Sequence, residues 1–147
     1  MIDELYKEVI LDHYKSPRNK RGIEAATCSS HGNNPLCGDE VTVYANVEDG
    51  QVTEAAFEGQ GCSISQASAS MMTDAVGGRS LDEVHSLTKE FRAMMAGESE
   101  PSEDELGDLA ALRGVVRYPA RIKCAVLAWD TLEQALEGGE ARGAAAH

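Results

Sequence analysis

The sequence is short of positive charge. Its 147 residues hold 13 Lys and Arg against 25 Asp and Glu, a formal net charge of −12. Phosphate backbones are bound by clustered cations, so a nucleic-acid partner is excluded. The surplus of carboxylates either steers the chain towards a basic patch on another protein or is solvated surface that aids solubility. No apolar run approaches the roughly 20 residues needed to span a bilayer, so no membrane role is expected. The opening Met1-Ile2-Asp3-Glu4-Leu5 is acidic and amphipathic rather than a secretory signal, and the expected location is cytoplasmic. Cysteine is also scarce. Four of them in a reducing compartment do not suggest two structural disulfides; metal ligation or thiol chemistry suits them better. Internal repeats and dividing linkers are lacking too, so residues 1–147 read as one domain. With 42% hydrophobic and 26% charged residues, it can bury a core without staples.

The periodicity changes twice along the chain. Ile2, Leu5, Tyr6, Val9, Ile10 and His13 recur at helical spacing, and Asp3 and Glu4 suit the positive end of the dipole. Pro17 stops this helix. Lys15, Arg18, Lys20 and Arg21 then complement its C-terminus or form a docking patch. Over residues 40–57 the period becomes two, with Val41, Val43, Ala45 and Val47 on one face. The pair Asp49-Gly50 marks the turn of a β-hairpin. A further short strand is expected over residues 26–30.

After Gly59-Gln60-Gly61 the helical period returns. Ser63 and Gln66 form a possible capping box, followed by an Ile64, Ala67, Met71, Met72, Ala75 stripe. Ser80 and Glu83 repeat the capping signal ahead of Leu81, Val84, Leu87, Phe91, Met94 and Met95. Residues 97–107 are acidic and read as a loop with a short helical piece. A last helix starts near Pro119, carries Ile122, Ala125, Val126, Trp129, Leu132 and Leu136 on one face, and ends at Gly138-Gly139. Residues 139–147 read as a frayed tail. The fold class is therefore α+β: a small antiparallel sheet of about three strands, packed on one side by several helices.

Three cysteines sit where the chain changes direction or element. Cys37 lies in Asn34-Pro35-Leu36-Cys37-Gly38-Asp39, where proline and glycine make a turn that exposes the thiol. Cys62 immediately precedes a helix, where unpaired N–H groups and the positive dipole end favour thiolate. Cys124 lies inside the last helix and, at 100° per residue, shares a flank with Arg121 away from the centre of the apolar stripe. Asp39, two residues after Cys37, would point to the same face in an extended strand. Three thiolates and a carboxylate are an acceptable tetrahedral zinc set, but the spacings are irregular, and buried inert cysteines fit the composition as well. Cys28, on the expected short strand, lacks such company and reads as structural or idle. A metal-bound thiolate is kept deprotonated yet suppressed, so releasing Cys37 would unmask a nucleophile able to attack a persulfide.

These residues resemble a known family. Leu11-Asp12-His13-Tyr14-Lys15-Ser16-Pro17-Arg18-Asn19, Asn34-Pro35-Leu36-Cys37-Gly38-Asp39, Gly59-Gln60-Gly61-Cys62-Ser63-Ile64-Ser65 and Arg121-Ile122-Lys123-Cys124-Ala125 are similar, in the same order, to the motifs of the IscU/SufU family of iron–sulfur cluster assembly proteins. The likeness runs from about residue 5 to 136. Scaffold-type IscU proteins carry a His immediately before the third cysteine, where Lys123 stands here. The extra stretch over about residues 79–113 resembles the SufU branch. The resemblance implies the family's α+β fold and one zinc ion per chain held by Cys37, Asp39, Cys62 and Cys124. It further implies a SufS-type cysteine desulfurase as partner, itself a pyridoxal-phosphate enzyme, and a downstream Suf cluster-assembly scaffold. In that picture a histidine of the desulfurase replaces Cys37 on zinc, Cys37 accepts the persulfide sulfur, and Arg121 matches the family's arginine near the site. The alternative reading is a scaffold that builds an iron centre or a [2Fe–2S] cluster on Cys37, Cys62 and Cys124.

Overall fold

The structure is a computed structural model that describes residues 4–35, 38–98 and 106–141, with side chains described over 7–35, 38–98 and 106–137. In chain order the elements are helix α1 (Glu4–Lys15), strands β1 (Cys28–Asn34), β2 (Asp39–Glu48) and β3 (Gln51–Gln60), and helices α2 (Ser63–Val76) and α3 (Leu81–Met95). A 3₁₀ segment (Gly107–Arg117) and helix α4 (Pro119–Ala141) complete them.

The strands form an antiparallel sheet in the order β1-β2-β3. The hairpin turns at Asp49 and Gly50, whose φ angles of 53° and 75° are both positive, as a two-residue turn matching the strand twist requires. Alternation along β2 is as expected. Val41, Val43 and Ala45 are buried, while Thr42, Tyr44 and Asn46 are half-buried on the other face. The pattern slips at Asn46/Val47, where a register shift leaves Val47 only partly covered. The outer face is tied by polar pairs: Tyr44 donates to Glu58 at 2.6 Å, and His31 Nδ1 lies 2.9 Å from Thr42 Oγ1.

Helix α4 lies across β1 and β2, and α2 packs on β3. Trp129 stacks on Phe91 with ring centroids 4.7 Å apart, joining α4 to α3. Helix α2 is buried along almost its whole circumference from Ser65 to Thr73, wider than the expected apolar stripe. Its small hydroxyl residues make this possible because each finds a partner. Ser68 donates to the Ala125 carbonyl at 2.6 Å and accepts from Trp129 Nε1 at 3.2 Å, and Thr73 donates to the Ser70 carbonyl at 2.9 Å.

Several expectations need correction. Strand β1 runs over Cys28–Asn34 rather than 26–30, because its pairing with β2 continues to the Asn34–Asp39 pair. The N-cap of α2 is Cys62, not Ser63: the Cys62 side chain accepts the Ser65 N–H, and Ser63 is already helical. The Ser80/Glu83 capping box on α3 forms as expected. Helix α4 continues through Gly138-Gly139 to Ala141, so residues 139–141 are helical; two glycines weaken a helix by about 1 kcal/mol each without forbidding it. Of the expected acidic loop over 97–107, residues 99–105 lie outside the described residues. The 3₁₀ segment after it had no distinct sequence signal.

Candidate metal centre

The site sits at the end of the sheet where β1 stops and β2 starts. Asp39 opens β2, Cys62 caps α2, and Cys124 lies in the second turn of α4. Asp39, Cys62 and Cys124 each place one ligand atom within 4.8 Å of the other two, and among the described residues this is the one group able to hold a metal ion.

Each member is held locally. Asp39 is fully buried; its Oδ1 accepts the Cys62 backbone N–H at 2.8 Å, and its Oδ2 lies 4.0 Å from Cys62 Sγ. Cys62 Sγ accepts the Ser65 N–H at 3.5 Å, so the thiol occupies the position of a capping oxygen at the positive end of α2. Ser65 Oγ returns a bond to the Cys62 carbonyl at 3.1 Å. The turn into the helix depends on Gly61. Its φ is +151°, and a Cβ there would collide with Asp39 Oδ1 and stand 2.9 Å from Ser65 Oγ. Only glycine lets the Cys62 peptide come this close to the carboxylate.

Cys124 is fully buried. Its Sγ lies 3.8 Å from Asn34 Nδ2, the donor, and 3.9 Å from the Ala120 carbonyl oxygen. Arg121 stands one turn earlier on the same helix, about 60° around its axis from Cys124. The two residues are three positions apart, but Cys124 is enclosed by the end of β1 while Arg121 is exposed in the first turn of α4. Lys123 is exposed as well.

Cys37 lies outside the described residues. The connection that carries it is short: Gly38 donates its N–H to the Asn34 carbonyl at 2.9 Å. Cys28 is buried in the core, paired across the sheet with Ala45, away from the other thiols in sequence and in strand position. Within the basic stretch after α1, Arg18 pairs with Asp12 at 2.7 Å and Arg21 pairs with Glu54, while Lys15 and Lys20 are exposed.

Two sulfurs and one carboxylate oxygen are a donor set that suits zinc. Tetrahedral zinc with Zn–S near ~2.3 Å spaces its ligands by roughly 3.5–3.8 Å, so a set already within 4.8 Å closes with small side-chain movements. The residues present therefore fit the metal. Sequence reasoning singled out Asp39, Cys62 and Cys124 but passed over Asn34, Gly61 and Ser65 as supports. Gly61 stood in a recognised turn; Asn34 had no signal, because its partner Cys124 is 90 residues away.

Several known proteins are similar to this chain. The profile of the family described as "NifU-like N terminal domain" matches residues 5–125. The chain is 47% identical over 141 residues to the "Zinc-dependent sulfurtransferase SufU" of Bacillus subtilis, covering 94% of this chain and 95% of that protein. It is 44% identical over 133 residues to the "Iron-sulfur cluster assembly scaffold protein IscU" of Thermotoga maritima, covering 90% and 93%. The crystal structure of a putative iron–sulfur cluster assembly scaffold protein for the SUF system from Fervidobacterium islandicum superposes with a TM-score of 0.83 at 38% identity, covering 88% of this chain and 94% of that one.

Proposed function

The chain belongs to the NifU-like N-terminal domain family, within the IscU/SufU group of iron–sulfur cluster assembly proteins, and from that membership we propose that it is a zinc-dependent sulfur acceptor. The observation that carries the proposal is the convergence of Asp39, Cys62 and Cys124 from three elements on one point. Cys37, two residues before Asp39, is the fourth ligand in this reading. Bound zinc keeps the thiolates deprotonated and holds them unreactive until one is released.

Three of the four ligands come from a strand end and two helices, whereas Cys37 stands in sequence between β1 and β2, in neither strand. Cys37 is therefore the ligand that leaves, with Asp39, Cys62 and Cys124 staying together. Its thiolate attacks the terminal sulfur of a persulfide on a SufS-type cysteine desulfurase. The new bond joins Cys37 to that sulfur, the donor's S–S bond breaks, and the desulfurase cysteine departs as thiolate. The desulfurase persulfide is reduced to thiolate as Cys37 is oxidised to persulfide, so the exchange needs no external oxidant or reductant. A downstream Suf scaffold then receives the sulfur.

A partner would approach over the start of α4. Residues Arg117 to Arg121 and Lys123 are exposed there, Tyr118 being 50% exposed, and the sequence has no carboxylate between Asp108 and Asp130. In a chain of net charge −12 this is a local basic rim beside the thiols, suited to an acidic docking face and to Arg121 as a guide for the incoming persulfide.

The test is metal content of the protein purified without added metal, together with sulfide release by a cysteine desulfurase in the presence of wild type or Cys37→Ala. One zinc per chain and stimulation lost in the variant are expected. The scaffold reading is favoured by the naming of the 44%-identical relative. Iron with acid-labile sulfide in the purified protein would establish it instead.

A further inference from the structure

Asn34 touches the metal centre at three points. It is the last residue of β1 and pairs across the sheet with Asp39. Its carbonyl accepts the N–H of Gly38, the neighbour of Asp39, at 2.9 Å. Its side-chain amide, buried at 8% exposure, points Nδ2 at Cys124 Sγ from 3.8 Å. We propose that Asn34 is a positioning residue of the metal centre, whose side-chain N–H donates to the Cys124 thiolate and fixes that sulfur while its backbone carbonyl holds Gly38, next to Asp39 in sequence.

The physical reason is the burial of Cys124. A thiolate drawn out of water needs donors to replace its solvation, and positive charge from a metal satisfies only one direction around the sulfur. The Ala120 carbonyl, 3.9 Å from Cys124 Sγ, is an acceptor and offers a thiolate no donor. The Asn34 amide supplies one. Sequence separation matters as well. Cys124 arrives on a helix some 90 residues downstream, so a direct bond from the strand end that precedes Cys37 ties the last ligand to the first. The backbone bond to Gly38 does not depend on the side chain, so the two tasks can be separated by mutation.

The inference rests on the zinc reading above, and the experiment distinguishes failure of one from failure of the other. Wild-type protein is loaded with cadmium-113 as the probe, and its proton spectrum is searched for a scalar coupling between the metal and the Asn34 side-chain amide, transmitted through the sulfur of Cys124. A coupling is expected. Stoichiometric cadmium binding without it overturns the role of Asn34 and leaves the metal centre standing; failure to bind cadmium or zinc at all overturns the zinc reading itself. In parallel, Asn34→Ala removes the amide and Asn34→Leu keeps its bulk without a donor. Both should weaken zinc binding by about 10- to 100-fold, the usual loss for an outer partner of a metal ligand. Recovery of wild-type affinity in Asn34→Leu would mean that the residue acts by packing alone and would overturn the proposal.

Discussion

The Asp39 carboxylate accepts the backbone N–H of Cys62 at 2.8 Å, so one side chain both faces the thiols and fixes the first turn of the helix that carries one of them. Asp39 is fully buried, and a hydrogen bond to a charged acceptor contributes about 1.5–3 kcal/mol. Replacing it removes a metal ligand and that bond together.

Asp39→Ala should therefore lower both zinc affinity and metal-free stability, the latter by about 1.5–3 kcal/mol. With the metal loosened, Cys37 should react faster with iodoacetamide. Zinc titration, thermal unfolding of the metal-free protein and alkylation followed by peptide mapping check the three parts. Unchanged affinity and unchanged alkylation would remove Asp39 from the ligand set.

Gly61 is the second point of control. A methyl group there meets Asp39 Oδ1 and Ser65 Oγ, and a φ of +151° disfavours any side chain. Gly61→Ala should cost about 1–3 kcal/mol in backbone strain and weaken zinc binding by displacing Cys62 from Asp39. A variant that binds zinc like wild type would show that the turn relaxes without moving the ligands.

His13 joins three parts of the chain away from the metal. It is buried, with Nδ1 2.8 Å from Ser70 Oγ and Nε2 2.9 Å from Asp108 Oδ2. It thus connects α1 to α2 and to the 3₁₀ segment that leads into α4. His13→Ala should destabilise the protein by about 1–3 kcal/mol, because a buried hydroxyl loses a partner and a cavity opens. At about 2–4 °C per kcal/mol, thermal unfolding would register it clearly. Zinc affinity should change little, which separates this fold role from the roles of Asp39 and Gly61.

The capping box on α3 gives a pH dependence. Glu83 Oε1 accepts the Ser80 N–H at 3.0 Å, and with the Ser80 hydroxyl this holds the Glu83 carboxyl below its ordinary value of 4.5. A carboxyl lowered in the folded state stabilises the fold above the unfolded value, and that contribution is lost as pH falls through the folded value. Wild type should lose more stability than Glu83→Gln between about pH 5 and pH 3. Parallel acid titrations of the two proteins, followed by circular dichroism, check it; identical curves would mean that the box does not contribute in solution.

Much of this was legible in the sequence because its signals are local. The alternation of Val41, Val43 and Ala45, the Asp49-Gly50 turn and the Ser80/Glu83 box each need only neighbouring residues, and each appears in the structure. The failures concern relations over distance. A helix such as α2, buried on nearly every side, shows no clean stripe, since its serines bury themselves by bonding to His13 of α1 and Ala125 of α4. Cys62 as N-cap was hidden by Ser63, a better capping residue by type that stands one position too late. The metal ligands could be selected by residue type and motif, but Asn34 could not, since nothing next to it in sequence marks it as the partner of Cys124.

The most direct measurement is the location of transferred sulfur. Zinc-loaded protein is incubated with a SufS-type cysteine desulfurase and cysteine, the thiols are alkylated, and the peptides are mapped by mass. Transfer predicts one added sulfur atom on the peptide carrying Cys37, dependent on the desulfurase and absent from Cys37→Ala. Added sulfur on Cys62 or Cys124 instead, or none on any cysteine while zinc remains bound, would contradict Cys37 as the acceptor.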